Sequence, residues 1–350
     1  MSAEATSVAH ETVNALFQKF IGPFSATMIT PLLVEPSSIE ERVSTLVHEF
    51  NVHPHLLAPF RKLIASLQNK EVVASIEEQI RFFQSTQARN YLFVNLFQEV
   101  LQIKELKLDL DTGRLPAKPN DLLKFSHTAR VEFGEESRYK DLMYAAGLLF
   151  DFAYYLQKTQ IVNTNGVKLD DFIQNCFKKG IEQGKLITRL SRHKPKLTNE
   201  KHAPVAALLR QLSHVIFCLL YPNIGPDFYK KLAAIRYTEP LKLSMEIKEF
   251  GVHSGMLASY IAESFDIFDP LGEVMSVWGM PHLAHYTKNK AIHDLAAIAE
   301  LGVILRESFK IIEISETNKV GVNIPELTFL DYTLSARVRE DLDESEKKPT

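Results

Sequence analysis

Tyr144-Ala-Ala-Gly-Leu-Leu-Phe-Asp-Phe-Ala-Tyr-Tyr-Leu156 sets a single carboxylate, Asp151, inside an almost wholly apolar run. The run lies in a helical block expected from about Asp121 to Gln157. A long, predominantly apolar helix belongs in a protein core. A carboxylate buried there without a partner is too costly to keep. Asp151 must therefore have a partner, carry a proton or reach water.

The chain around this run reads as helices. Pro36-Ser-Ser-Ile-Glu-Glu opens a helix with a serine cap and acids in the first turn. Leu56, Leu57, Phe60, Leu63, Ile64 and Leu67 continue the helical spacing, and Ser75-Ile-Glu-Glu starts another helix. Ala88 to Ile103 is strongly apolar, and Gly113, Pro116 and Pro119 mark a loop. After the turn Asn163-Thr-Asn-Gly166, an amphipathic helix is expected over Leu169 to Leu190, weakened by Gly180 and Gly184. A basic, exposed loop is expected over Ser191 to His202, then a long apolar helix from Ala203 to Leu220. Further helices are expected at Pro226 to Ile235, Val252 to Phe265, Leu271 to Met280 and Ala291 to Ile312. Ile311 to Ile324 alone hints at extended backbone, and the charged tail from Arg337 is expected to be disordered at its end. The fold class is all-α, a multi-helix bundle with a helical N-terminal lobe.

Composition narrows the function classes. The chain has 350 residues, 45% of them hydrophobic and 24% charged, as in ordinary globular proteins. The formal net charge of −3 supplies no field that recruits nucleic acid. Two cysteines, Cys176 and Cys218, cannot form a disulfide framework, so a reducing, cytoplasmic setting is expected. Met1 to Thr12 is polar, with no basic segment followed by an apolar one, so no secretory signal is expected there. No membrane span is expected, because no window of about 18 residues is uninterruptedly apolar. Phosphate-loop, dinucleotide and nucleophile-elbow motifs are absent from the sequence.

Three segments, in order, resemble the HDOD family, an all-helical and catalytically degenerate branch of the HD phosphohydrolases. The first is Val73-Ala-Ser-Ile-Glu-Glu-Gln-Ile-Arg-Phe-Phe-Gln84, followed by Ala88-Arg-Asn-Tyr-Leu92. The second is Phe125-Ser-His127 with Leu142-Met-Tyr-Ala-Ala-Gly-Leu-Leu-Phe-Asp151. The third is Glu246-Ile-Lys-Glu-Phe-Gly-Val-His253 and the residues to Ala262. In HD hydrolases the second segment ends Gly-Leu-Leu-His-Asp, and the His and Asp hold a metal. Here the His position is Phe150, and a phenyl ring cannot ligate a metal. The resemblance covers roughly Ser38 to Phe309. It implies an extension over 1–35, a helical domain over 36–312 with lobes about 36–120 and 121–312, and a C-terminal segment over 313–350. The stretch 163–237 reads as an insertion.

The resemblance leaves His127, Asp151 and His253 as the remnant of a metal or anion pocket. The favoured alternative is that His127 and Asp151 form a structural hydrogen-bonded pair. His293-Asp294 is a literal His-Asp dipeptide at the start of a late helix, and the resemblance does not place the signature there. Trp278, His282 and His285 form an aromatic, His-rich bend suited to a partner or a purine, although a packed interhelix turn is favoured. Arg189, Arg192 and Lys194 belong to a basic stretch that faces phosphates or, more simply, water.

The resemblance implies a non-catalytic bacterial signalling or scaffold protein that works by protein–protein interaction, with no cofactor and an unidentified protein partner. A metal phosphohydrolase with an altered ligand set stands as the alternative, and a nucleotide sensor without turnover comes after it. A homodimer is the base-rate expectation for assembly.

Overall fold

The structure, a computed structural model, describes residues 38–52, 54–68, 75–83, 88–94, 123–133, 137–157, 168–192, 200–234, 239–265, 268, 271–276 and 295. Among these, 91% are helical and none lies in a strand, so the fold is all-α. The chain divides into two compact units, one spanning Leu16–Lys168 and one whose described residues come from Leu169 onward.

The first unit holds α1 (Ile39–Val52), α2 (Pro54–Gln68), α3 (Ile76–Phe83), α4 (88–94), α5 (Lys124–Glu132) and α6 (Ser137–Leu156). The cap signals work as read. Ser38 Oγ accepts from Glu41 N at 3.1 Å. At α3, Ser75 N donates to Glu78 Oε2 at 2.9 Å while Glu78 N donates to Ser75 Oγ at 3.3 Å, a reciprocal capping box. An aromatic chain joins the helices: Phe50 stacks on Phe60 at 4.6 Å, Phe60 meets Tyr91 at 5.3 Å, and Phe93 meets Tyr144 at 6.5 Å. The expected block from Asp121 to Gln157 is two helices, α5 closing at Phe133, whose amide bonds Ala129 O at 3.2 Å.

The second unit holds α7 (Asp170–Arg192), a 3₁₀ turn (Glu200–His202), α8 (Ala203–Leu220), α9 (Gly225–Ala234), α10 (Glu239–Phe250), α11 (Ser254–Ser264) and α12 (Leu271–Ser276). Helix α8 is its centre. It is long and apolar enough to cross a membrane, with mean hydropathy 1.6, yet 94% of it is buried inside the protein. Gly180 lets α7 approach α8, since a Cβ there would stand 3.3 Å from Leu208 Cα. The glycine that weakens α7 locally is thus the one that admits its neighbour.

The expected loop from Ser191 to His202 is corrected at both ends. Helix α7 runs on to Arg192, and Glu200–His202 is a helical turn whose His202 is buried against the start of α8. Helix α10 was not among the expected elements. The sequence signals α10's end more clearly than its start: Gly251 takes φ 82°, and its amide bonds Ile247 O at 2.9 Å, a glycine stop. The expected extended segment, the loop around Gly113, the turn at Asn163 and the charged tail lie outside the described residues.

Candidate functional site

Helix α5 begins without a cap of its own. Leu123 stands at the N-cap position and offers no side-chain acceptor. The first amides of a helix have no intrahelical partner, so those of Phe125 and Ser126 need an acceptor from elsewhere. Asp151, on α6, supplies it. Phe125 N donates to Asp151 Oδ1 and Ser126 N to Asp151 Oδ2, each at 2.9 Å. The approach is permitted by Gly147, one turn earlier on the same face of α6. A Cβ at Gly147 would lie 2.5 Å from Ser126 Cα, so only glycine lets the α5 backbone come this close.

The carboxylate is 1% exposed. Burial pushes its pKa up to about 7, and the hydrogen bonds from Ser126 and Phe125 pull it back toward the charged form. The α5 N-terminus favours a negative charge at the same place. Two turns back along α6, Tyr144 donates its hydroxyl to Asn90 Oδ1, and the Arg89 guanidinium lies 4.5 Å over its ring. Burial pushes the Tyr144 hydroxyl up to about 12, so it stays a donor at neutral pH.

The residues named from sequence separate. Phe150 is buried, with its ring 6.1 Å from that of Phe125, and fills the core beside the cap. His127 is exposed. The partner expected for Asp151 was His127; the α5 amides stand in its place. His253 lies in the other unit as the N-cap of α11, its Nδ1 accepting from Met256 N at 3.2 Å. Among the described residues, no group of three or more His, Cys, Asp or Glu side chains is placed to hold a metal ion. Arg189 is exposed on α7, and Arg192 is the last residue of that helix. Trp278, His282, His285, Lys194 and the dipeptide His293-Asp294 lie outside the described residues.

The second unit contains a polar cluster that sequence reasoning did not single out. Glu246, fully buried on α10, accepts from Tyr229 at 3.0 Å and from Ser254 N at 2.7 Å. Lys242, one turn earlier and 2% exposed, lies 3.5 Å from Glu246 Oε1 and 2.8 Å from His214 Nε2. Two signals were in the sequence: the Lys242–Glu246 spacing of four, and a histidine inside the apolar run from Ala203 to Leu220. The cysteines are buried and free, and burial pushes the Cys176 thiol up to about 12, leaving it unreactive.

No protein family matches the sequence, and no curated protein or solved structure matches the chain.

Proposed function

We propose that the chain is a non-catalytic, HDOD-type signalling or scaffold module that acts by protein–protein recognition in a bacterial regulatory pathway. One observation carries the non-catalytic part. Both oxygens of Asp151 are occupied by the α5 amides, and the neighbouring Phe150 is core. An HD centre needs that dipeptide as ligands for a metal whose bound water attacks a phosphoester. Here the dipeptide serves to fix one helix against another. The signalling part rests on the resemblance of the three segments.

Elemental analysis of the purified protein tests the reading. The expected result is no stoichiometric iron, manganese or zinc and no phosphoester turnover. A stoichiometric metal that is lost in Asp151→Ala, or turnover by clean material, overturns it in favour of an altered-ligand phosphohydrolase. With catalysis excluded, affinity capture with the full chain then asks for a protein partner.

A further inference from the structure

His214 is buried on α8 and is faced by polar groups from four helices. From α7 comes Lys179; from α8 itself, Arg210 and Gln211; from α9, Tyr229; and from α10, Lys242 and Glu246. The ring's tautomer follows from its partners. Lys242 Nζ stands 2.8 Å from Nε2 and can only donate, so Nε2 accepts. Nδ1 then carries the proton and donates to Gln211 Oε1 at 3.3 Å, and Gln211 Nε2 passes on to Gln183 Oε1 at 3.0 Å. Only the acceptor role of Nε2 requires the imidazole to be neutral. Burial first, and then the charges of Lys242, Arg210 and Lys179, hold the imidazole well below its usual pKa.

One carboxylate oxygen sits between two candidate cations. Glu246 Oε1 is 3.5 Å from Lys242 Nζ and 3.6 Å from His214 Nε2, while Tyr229 donates to it at 3.0 Å. The other oxygen holds Ser254 N, the first amide of α11. We propose that His214, Lys242 and Glu246 form an acid-responsive latch that fastens α10, and through Glu246 the start of α11, to the central helix α8.

With the imidazole neutral, Lys242 bridges His214 and Glu246 and the latch is closed. When the imidazole takes a proton, Nε2 becomes a donor and can no longer accept from Lys242. The imidazolium and the ammonium then compete at contact distance for the same oxygen. Like charges this close in a buried site repel strongly. The imidazolium takes Glu246, and the lysine, on a helix whose Leu241 and Ser244 are exposed, swings toward water. The step moves one proton from solvent to Nε2 and exchanges one ion pair for another.

Hydrogen exchange on the full chain, corrected for the intrinsic pH dependence, tests the latch. Wild type is expected to lose protection reversibly over 239–254 in acid while its overall helicity persists. His214→Gln, which can accept from Lys242 but cannot be protonated, is expected to keep that protection. An identical acid profile in the variant, or global unfolding of wild type before any local loss, overturns the proposal. Site-assigned nitrogen NMR gives an independent reading should that variant fail to fold. Wild type is expected to show His214 as the neutral Nδ1–H tautomer, and Lys242→Met is expected to move its titration to higher pH. An unchanged midpoint or the opposite tautomer overturns the latch.

Discussion

Two buried carboxylates, Asp151 in the first unit and Glu246 in the second, do the same structural work with different neighbours. Each accepts from the first-turn amides of a helix that follows or precedes its own: Asp151 from Phe125 and Ser126, Glu246 from Ser254. Asp151 is met by the α5 amides, and burial raises its pKa to about 7. Glu246 is met by Lys242 and Tyr229 as well. A carboxylate answered by dipoles retains the option of a proton. One answered by a buried ammonium is tied to that partner, and neither is removed without stranding the other.

The comparison can be broken by substitution. The largest loss is expected from Glu246→Ala, which leaves Lys242 buried without its carboxylate. The expected cost is about 3–5 kcal/mol in denaturant unfolding; a cost under about 1 kcal/mol would show that Lys242 escapes to water freely. Next is Gly147→Ala. The new methyl meets the Ser126 backbone, which cannot give way as a flexible side chain would, so about 1–3 kcal/mol is expected. Asp151→Asn follows, also at about 1–3 kcal/mol, because the amide keeps one acceptor and turns an N–H toward the other α5 amide. A neutral effect there would mean that the two amides find other acceptors.

The pH dependence sharpens the contrast. Asp151 has a folded pKa of about 7 against an ordinary 3.8, so the folded state holds a proton that the unfolded chain releases. Its contribution is fully present below about pH 4 and is lost as pH rises toward 7. His214 is shifted the other way, and its contribution is lost as pH falls below its ordinary 6.5. Exchange measured unit by unit from pH 4 to 7 should show opposite trends, and Asp151→Asn should flatten only the first. Parallel trends would contradict the assignment. The smallest effect belongs to the surface pair Arg81–Glu40 at 3.6 Å, where both side chains are well exposed. Glu40→Ala is expected to change stability by less than about 1 kcal/mol in the same unfolding assay.

Much of the fold was legible in the residues. Serine caps at Ser38 and Ser75 and the apolar spacing of Leu56, Phe60 and Ile64 are local signals, and the helices begin where those signals stand. Helix α10 escaped because two of its buried positions, Lys242 and Glu246, are polar and interrupt the apolar stripe that Leu243 and Phe250 would otherwise mark. The need for a partner at Asp151 was also legible. Its identity was not, because the partners are main-chain amides, and an amide has no letter in the sequence. Gly147 carried the hint: a glycine one turn from a buried acid marks a close backbone approach. The His214 latch was hidden for a related reason, since His214 lies on a different helix from Lys242 and Glu246 and only the latter pair shares a local spacing.

The central claim is that Asp151 is a helix cap borrowed from a neighbouring helix rather than a ligand. Residue-resolved exchange of the Phe125 and Ser126 amides tests it most directly. Such first-turn amides ordinarily exchange freely, having no acceptor within their own helix. Both are predicted to be protected in wild type and to lose that protection selectively in Asp151→Ala. Fast exchange of both in wild type, or protection that survives the substitution, would contradict the account.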